Sequence, residues 1–144
     1  MRAFRFRLDR VLDWYEKRYQ EEENRVAQCL VALTQVRESI ARLQAERVRV
    51  ESDVVARATL HARDLVALGR YRLGAKRRES ELNIERERRE SALTQQRQRA
   101  QEARRRLKLL EKLRERRFSE FLYAENREIE SLAAEAYTAR WSQR

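Results

Sequence analysis

Apolar residues recur every seven positions from Leu8 to Val54, and no proline interrupts them. One series steps through Leu8, Tyr15, Glu22, Cys29, Val36, Leu43, Val50 and Arg57. A second, four residues out of phase, runs Leu12, Tyr19, Val26, Leu33, Ile40, Arg47 and Val54. Twelve of these fifteen positions are apolar, although the chain as a whole is 42% apolar and 40% charged. A strict period of about 3.5 residues makes a narrow apolar stripe along a helix, which must be covered by another helix. The pattern predicts a coiled coil.

The second half carries a related stripe through Leu93, Gln96, Ala100, Ala103, Leu107 and Leu110, then Arg114, Phe118, Phe121, Glu125, Ile129, Leu132 and Ala136. Its steps alternate three and four up to Leu110 and then take two fours, a stutter that locally unwinds a supercoil. Between the halves, residues 59–74 hold the turn-favouring His61, Asp64, Gly69 and Gly74. Asp64 is the expected N-cap for a helix opening on LVAL.

In an antiparallel pair, facing residues add to a constant. A sum of 122 sets Leu12 against Leu110, Tyr15 against Leu107, Tyr19 against Ala103, Glu22 against Ala100, Val26 against Gln96 and Cys29 against Leu93. At Tyr19 a large residue then meets a small one, Ala103, as interdigitation requires. A sum of 129, one heptad away, remains open. The predicted fold is all-α, a single long antiparallel two-helix coiled coil over residues 1–144. Helix 1 spans about 4–58, the turn falls near 58–66, and helix 2 spans about 65–139, overhanging helix 1 beyond about residue 118. The stripe weakens between Gly74 and Ser91, where the sum of 122 sets Arg86 and Arg89 against Val36 and Leu33. Long arginine stems can cover such residues. A paired length of about 50 residues at about 1.5 Å each gives a rod about 75 Å long.

Composition narrows the function classes. Two glycines and no prolines leave few turns for a compact globule, and the ordered heptads oppose disorder. No run approaches the roughly 20 apolar residues of a membrane span. The opening MRAFRFRLDRVLDWY lacks the apolar stretch of a secretory signal, so a cytoplasmic, monomeric hairpin is expected. Cys29, the single cysteine, sits on the seam and is expected to pack as a small apolar residue. The net charge of +10 is uneven: residues 76–117 hold 16 basic and 8 acidic groups, residues 118–144 hold 3 and 5. Glu-Arg pairs three or four apart account for much of such a block, and an acidic protein surface, anionic lipid or nucleic acid would suit the remainder. Nothing supports catalysis, a cofactor or a metal. His61 has only Asp64 nearby, G-R-Y-R-L-G lacks the Lys-Ser/Thr of a phosphate loop, and a two-helix coil offers no concave interior.

Three motifs together resemble the FliJ family of flagellar type III export proteins. The start F-R-F-R-L-D-R-V-L, with Phe4, Phe6, Leu8, Val11 and Leu12, resembles the family's opening. L-V-A-L-G-R-Y-R-L, with Tyr71, is similar to the aromatic segment that opens the family's second helix. K-L-R-E-R-R, then A-E-N-R at Ala124–Arg127 and an acidic-apolar tail, completes the match over nearly the whole chain. The resemblance implies a non-enzymatic stalk, similar to the stalk subunit of rotary ATPases. Such a stalk inserts into the flagellar export ATPase hexamer, contacts the cytoplasmic domain of the membrane export gate and handles export chaperones. It would lie in the cytoplasm, peripheral at the inner face of the membrane through its partners. Gate contacts implied by the resemblance are Leu68, Tyr71, Ala75 and Leu82, although Arg78 stands where the family has a small residue and Leu82 where it has a polar one.

The expected ATPase-ring surface joins Phe4, Phe6 and Leu8 to Phe118, Phe121, Glu125, Ile129 and Leu132 of the overhang. A stalk of a virulence secretion system is the nearest alternative, although F-x-F-x-L favours the flagellar version. A basic coiled coil binding nucleic acid, or one that self-assembles, are the readings outside that class.

Overall fold

A computed structural model describes residues 3–141. Two helices, α1 (Asp9–Val55) and α2 (Ala62–Trp141), pack against each other as a helical hairpin. The chain divides into two compact units: one joins the residues up to Gln20 with those from Gln101 onward, the other is Glu21–Ala100.

In the Glu21–Ala100 unit, the seam of α1 is the predicted heptad. Glu22, Leu33 and Val36 are buried, and Val26, Cys29, Ile40, Leu43, Arg47, Val50 and Val54 are half-buried. The cross-helix contacts Gln96–Glu22, Arg37–Glu90, Arg47–Glu79 and Arg72–Glu51 all join residues whose numbers add to less than 129. The sums run from 118 for Gln96–Glu22 to 127 for Arg37–Glu90, so the pairing drifts along the seam and does not keep one constant.

The weak stretch of α2 has a specific cause. Its covered positions are Leu68, Tyr71, Ala75, Glu79, Leu82, Arg86, Glu90 and Leu93, which step by three, four and four. That is an eleven-residue repeat of about 3.67 residues per turn. A search in sevens loses it because Glu79, Arg86 and Glu90 occupy seam positions. Arg86 is half-buried, its Nε out of water and 3.9 Å from Glu90 on the same helix. Arg89, expected to cover Leu33, is instead exposed and paired with Glu85 at 3.2 Å.

The turn lies about three residues earlier than expected, because α1 ends at Val55 and α2 starts at Ala62. Asp64 is not the N-cap. His61 holds that place, and Asp64, in the first turn, accepts a hydrogen bond from the His61 backbone N–H at 3.1 Å. This is the reciprocal half of a capping box, and the negative charge suits the helix N-terminus. Arg57 was expected on the seam; it is exposed and pairs with Asp64 across the turn at 3.5 Å. Gly69 and Gly74 lie within α2 at negative φ, so neither makes a turn.

In the other unit, Leu12 of α1 and Ala103 and Leu107 of α2 are buried, and Tyr15, Tyr19 and Leu110 are half-buried, continuing the expected seam. Arg114, expected on the stripe, is exposed and pairs with Asp9 at 3.8 Å. Helix 1 does not reach back to Phe4. Residues 3–6 have no regular secondary structure, residues 7–8 form a turn, and the Asp9 N–H bonds the Phe6 carbonyl at 3.2 Å, leading into α1. Leu8 therefore lies outside α1 and is 36% exposed rather than on the seam.

Candidate partner-binding surfaces

The arm brings its aromatic residues onto α2. The Phe4 ring meets Phe118 edge-on at 5.1 Å between centroids and Phe121 at 5.6 Å, both favourable aromatic geometries. Phe6 is buried beneath. So although α2 outruns α1, Phe118 and Phe121 are partly covered by a segment expected to be helical elsewhere. Between arm and helix lies an open groove of about 730 Å³, walled by Phe4, Phe6, Leu8, Leu113 and Phe121. Arg5, Arg7, Arg117 and Glu120 complete its lining. Five of the residues expected to bind a ring (Phe4, Phe6, Leu8, Phe118 and Phe121) thus gather at one place. Glu125 is half-buried farther along α2, and Ile129 and Leu132 are 53% and 59% exposed.

Sequence reasoning missed several residues of this surface. Leu122, Tyr123, Tyr137 and Trp141 are also exposed on α2. They fall off the extrapolated seam, and a seam has no meaning where no facing helix is present. Leu113 joins the groove wall for a similar reason: the arm, not α1, packs there. Arg5 and Arg7 were legible as the polar half of F-R-F-R-L.

The residues implied as gate contacts occupy a different environment. Ala75 and Leu82 are 5% and 6% exposed, and Leu68 and Tyr71 are half-buried; all four lie on the seam with α1. A partner reaches Ala75 and Leu82 only by displacing α1. The Tyr71 hydroxyl is shut from water without a hydrogen-bond partner. Desolvation raises its pKa above the ordinary tyrosine value, Glu46 and Glu51 add to the rise, and Arg47 opposes it. Exposed apolar residues of the same stretch are Leu65, Val66 and Leu73.

Charge is distributed unevenly along α2. Glu79, Arg72 and Glu90 pair across to α1, whereas Arg104, Arg105, Lys108 and Lys112 are exposed and make no ion pair with a described residue. Among the described residues no three His, Cys, Asp or Glu side chains lie together as metal ligands would, and no helix is long and apolar enough to cross a membrane. Cys29 is a half-buried free thiol. Comparison of the chain with protein-family models, with curated proteins and with solved structures returned no match.

Proposed function

We propose that the chain is a non-enzymatic adaptor of a flagellar type III export apparatus. It binds the export ATPase hexamer through the arm and the C-terminal part of α2, and contacts the export gate and export chaperones through other surfaces. The observation that carries this reading is the apolar face at one end of α2. Phe118, Leu122, Ile129 and Leu132 stay open to solvent on a helix with no α1 beside it, while Phe4 and Phe6 converge on the same region. Exposed apolar area of this kind on a charged helix marks an interaction site. The motif resemblance supplies the partner's identity. The same reading puts the protein in the cytoplasm, at the inner face of the membrane through its partners. A gate partner in this scheme meets Leu65, Val66 and Leu73 first, since Ala75 and Leu82 are covered.

The test is capture of the export ATPase by the intact chain. Burying a Phe or Leu contributes about 1.5–3 kcal/mol, whereas an exposed charge pair contributes under about 1 kcal/mol. Phe121→Ala with Leu132→Ala should weaken capture more than Arg104→Glu with Arg105→Glu. The reverse ranking, with binding that falls steeply with salt, would favour a polyanion partner for the unpaired cations of α2.

A further inference from the structure

We propose that the groove between the N-terminal arm and α2 receives an acidic amphipathic segment of a partner protein, apolar side chains inward and carboxylates on the rim. Its apolar lining is Phe4, Phe6, Leu8, Leu113 and Phe121, with Phe6 buried. The rim is cationic and only partly neutralised. Arg117 pairs with Glu120 at 3.0 Å, and Glu120 is shared with Arg116 at 3.2 Å. Arg5 and Arg7 are exposed and make no ion pair with a described residue. Two arginines that line an apolar groove and have no described ion-pair partner are placed to receive carboxylates, as bidentate guanidinium geometry favours.

Other occupants fit less well. A second copy of this end would set Arg5, Arg7 and Arg117 against their like, an arrangement that costs energy. A bilayer takes up apolar side chains that project outward, whereas Phe6 is buried and the Phe4 ring is turned onto α2. The inference rests on the adaptor reading only for which protein carries the segment; the chemistry of the groove stands apart from it.

The experiment uses the full chain and fluorescence anisotropy. The probes are a short labelled peptide interleaving leucine and phenylalanine with glutamate, and the same peptide with every glutamate replaced by glutamine. The glutamate peptide should bind about tenfold tighter at low salt, and the Arg5→Glu, Arg7→Glu double variant should abolish that preference with helical content unchanged. Phe121→Ala should weaken both peptides. Equal binding of the two peptides, or a preference that survives the double variant, overturns the proposal. So does binding to phosphatidylserine vesicles with none to the peptides. If the export ATPase binds and the glutamate peptide does not, this inference fails and the adaptor reading stands. The converse result leaves the groove's chemistry in place and removes the adaptor.

Discussion

Within the Glu21–Ala100 unit, two stretches of one seam are built differently. Where residues 22–36 of α1 meet residues 82–100 of α2, the covered side chains are Leu33, Val36, Leu82, Leu93 and Ala100, with Glu22 and Gln96 as a polar layer among them. Where residues 40–54 meet residues 68–79, only Ala75 is buried. Ile40, Leu43, Val50 and Val54 stay half-exposed, and Arg47–Glu79 and Glu51–Arg72, each at 3.0 Å, bridge the helices. The periods differ as well, because α1 keeps to sevens while α2 follows elevens over residues 68–90. Helices of unlike period drift out of register, so apolar residues stop meeting and long charged side chains span the gap. One stretch is held by burial, the other by pairs that salt screens.

Truncation should reveal the difference most clearly. Leu33→Ala, at a buried position, should cost about 2–5 kcal/mol by chemical denaturation. Leu43→Ala, at a half-covered one, should cost about 1–1.5 kcal/mol, since only part of its area leaves water on folding. Equal losses would mean that the two stretches are packed alike.

The polar layer gives the next effect. The Gln96 amide donates to the Glu22 carbonyl at 3.3 Å and to its carboxylate, which also takes Arg25 at 3.0 Å. Gln96→Ala should cost about 1–3 kcal/mol, because a buried carboxylate loses a donor. Replacing Glu22 and Gln96 together by leucine should recover that loss and raise stability by about 1–4 kcal/mol, at the expense of a fixed register. Light scattering of the double variant should then show more self-association than the native chain at the same concentration.

The smallest effect concerns Tyr71. Desolvation first, then Glu46 and Glu51, lift its pKa above 10.0 in the folded state, with Arg47 opposing. Folding therefore favours the neutral phenol. The stability this contributes is complete below the unfolded value and lost as pH rises through the folded one. Tyr71→Phe should leave melting near neutral pH almost unchanged and make it less sensitive to pH above about 10. A neutral-pH loss as large as that of Leu33→Ala would contradict the half-buried placement.

These contrasts also show what the chain discloses on reading. The heptads of α1 were plain because an unbroken apolar period is a local property of sequence. Antiparallel pairing follows from matching two such stripes, whereas the drift in register does not. The eleven-residue stretch was harder to see because charged residues stand on its seam, and their burial depends on partners such as Arg47 for Glu79. The arm is not part of helix 1, and its packing, with Phe4 on Phe118 and Phe121, joins residues more than a hundred apart in the chain. Phe4, Phe6, Phe118 and Phe121 were singled out as surface residues, but their convergence on a groove is a property of the fold.

Amide hydrogen exchange across the Glu21–Ala100 unit tests the graded seam most directly. Protection should be highest over residues 26–36 and 86–100 and fall through residues 40–54 and 68–79, and raising salt to about 1 M should speed exchange mainly in the second set. Uniform protection along both helices, unmoved by salt, would contradict it.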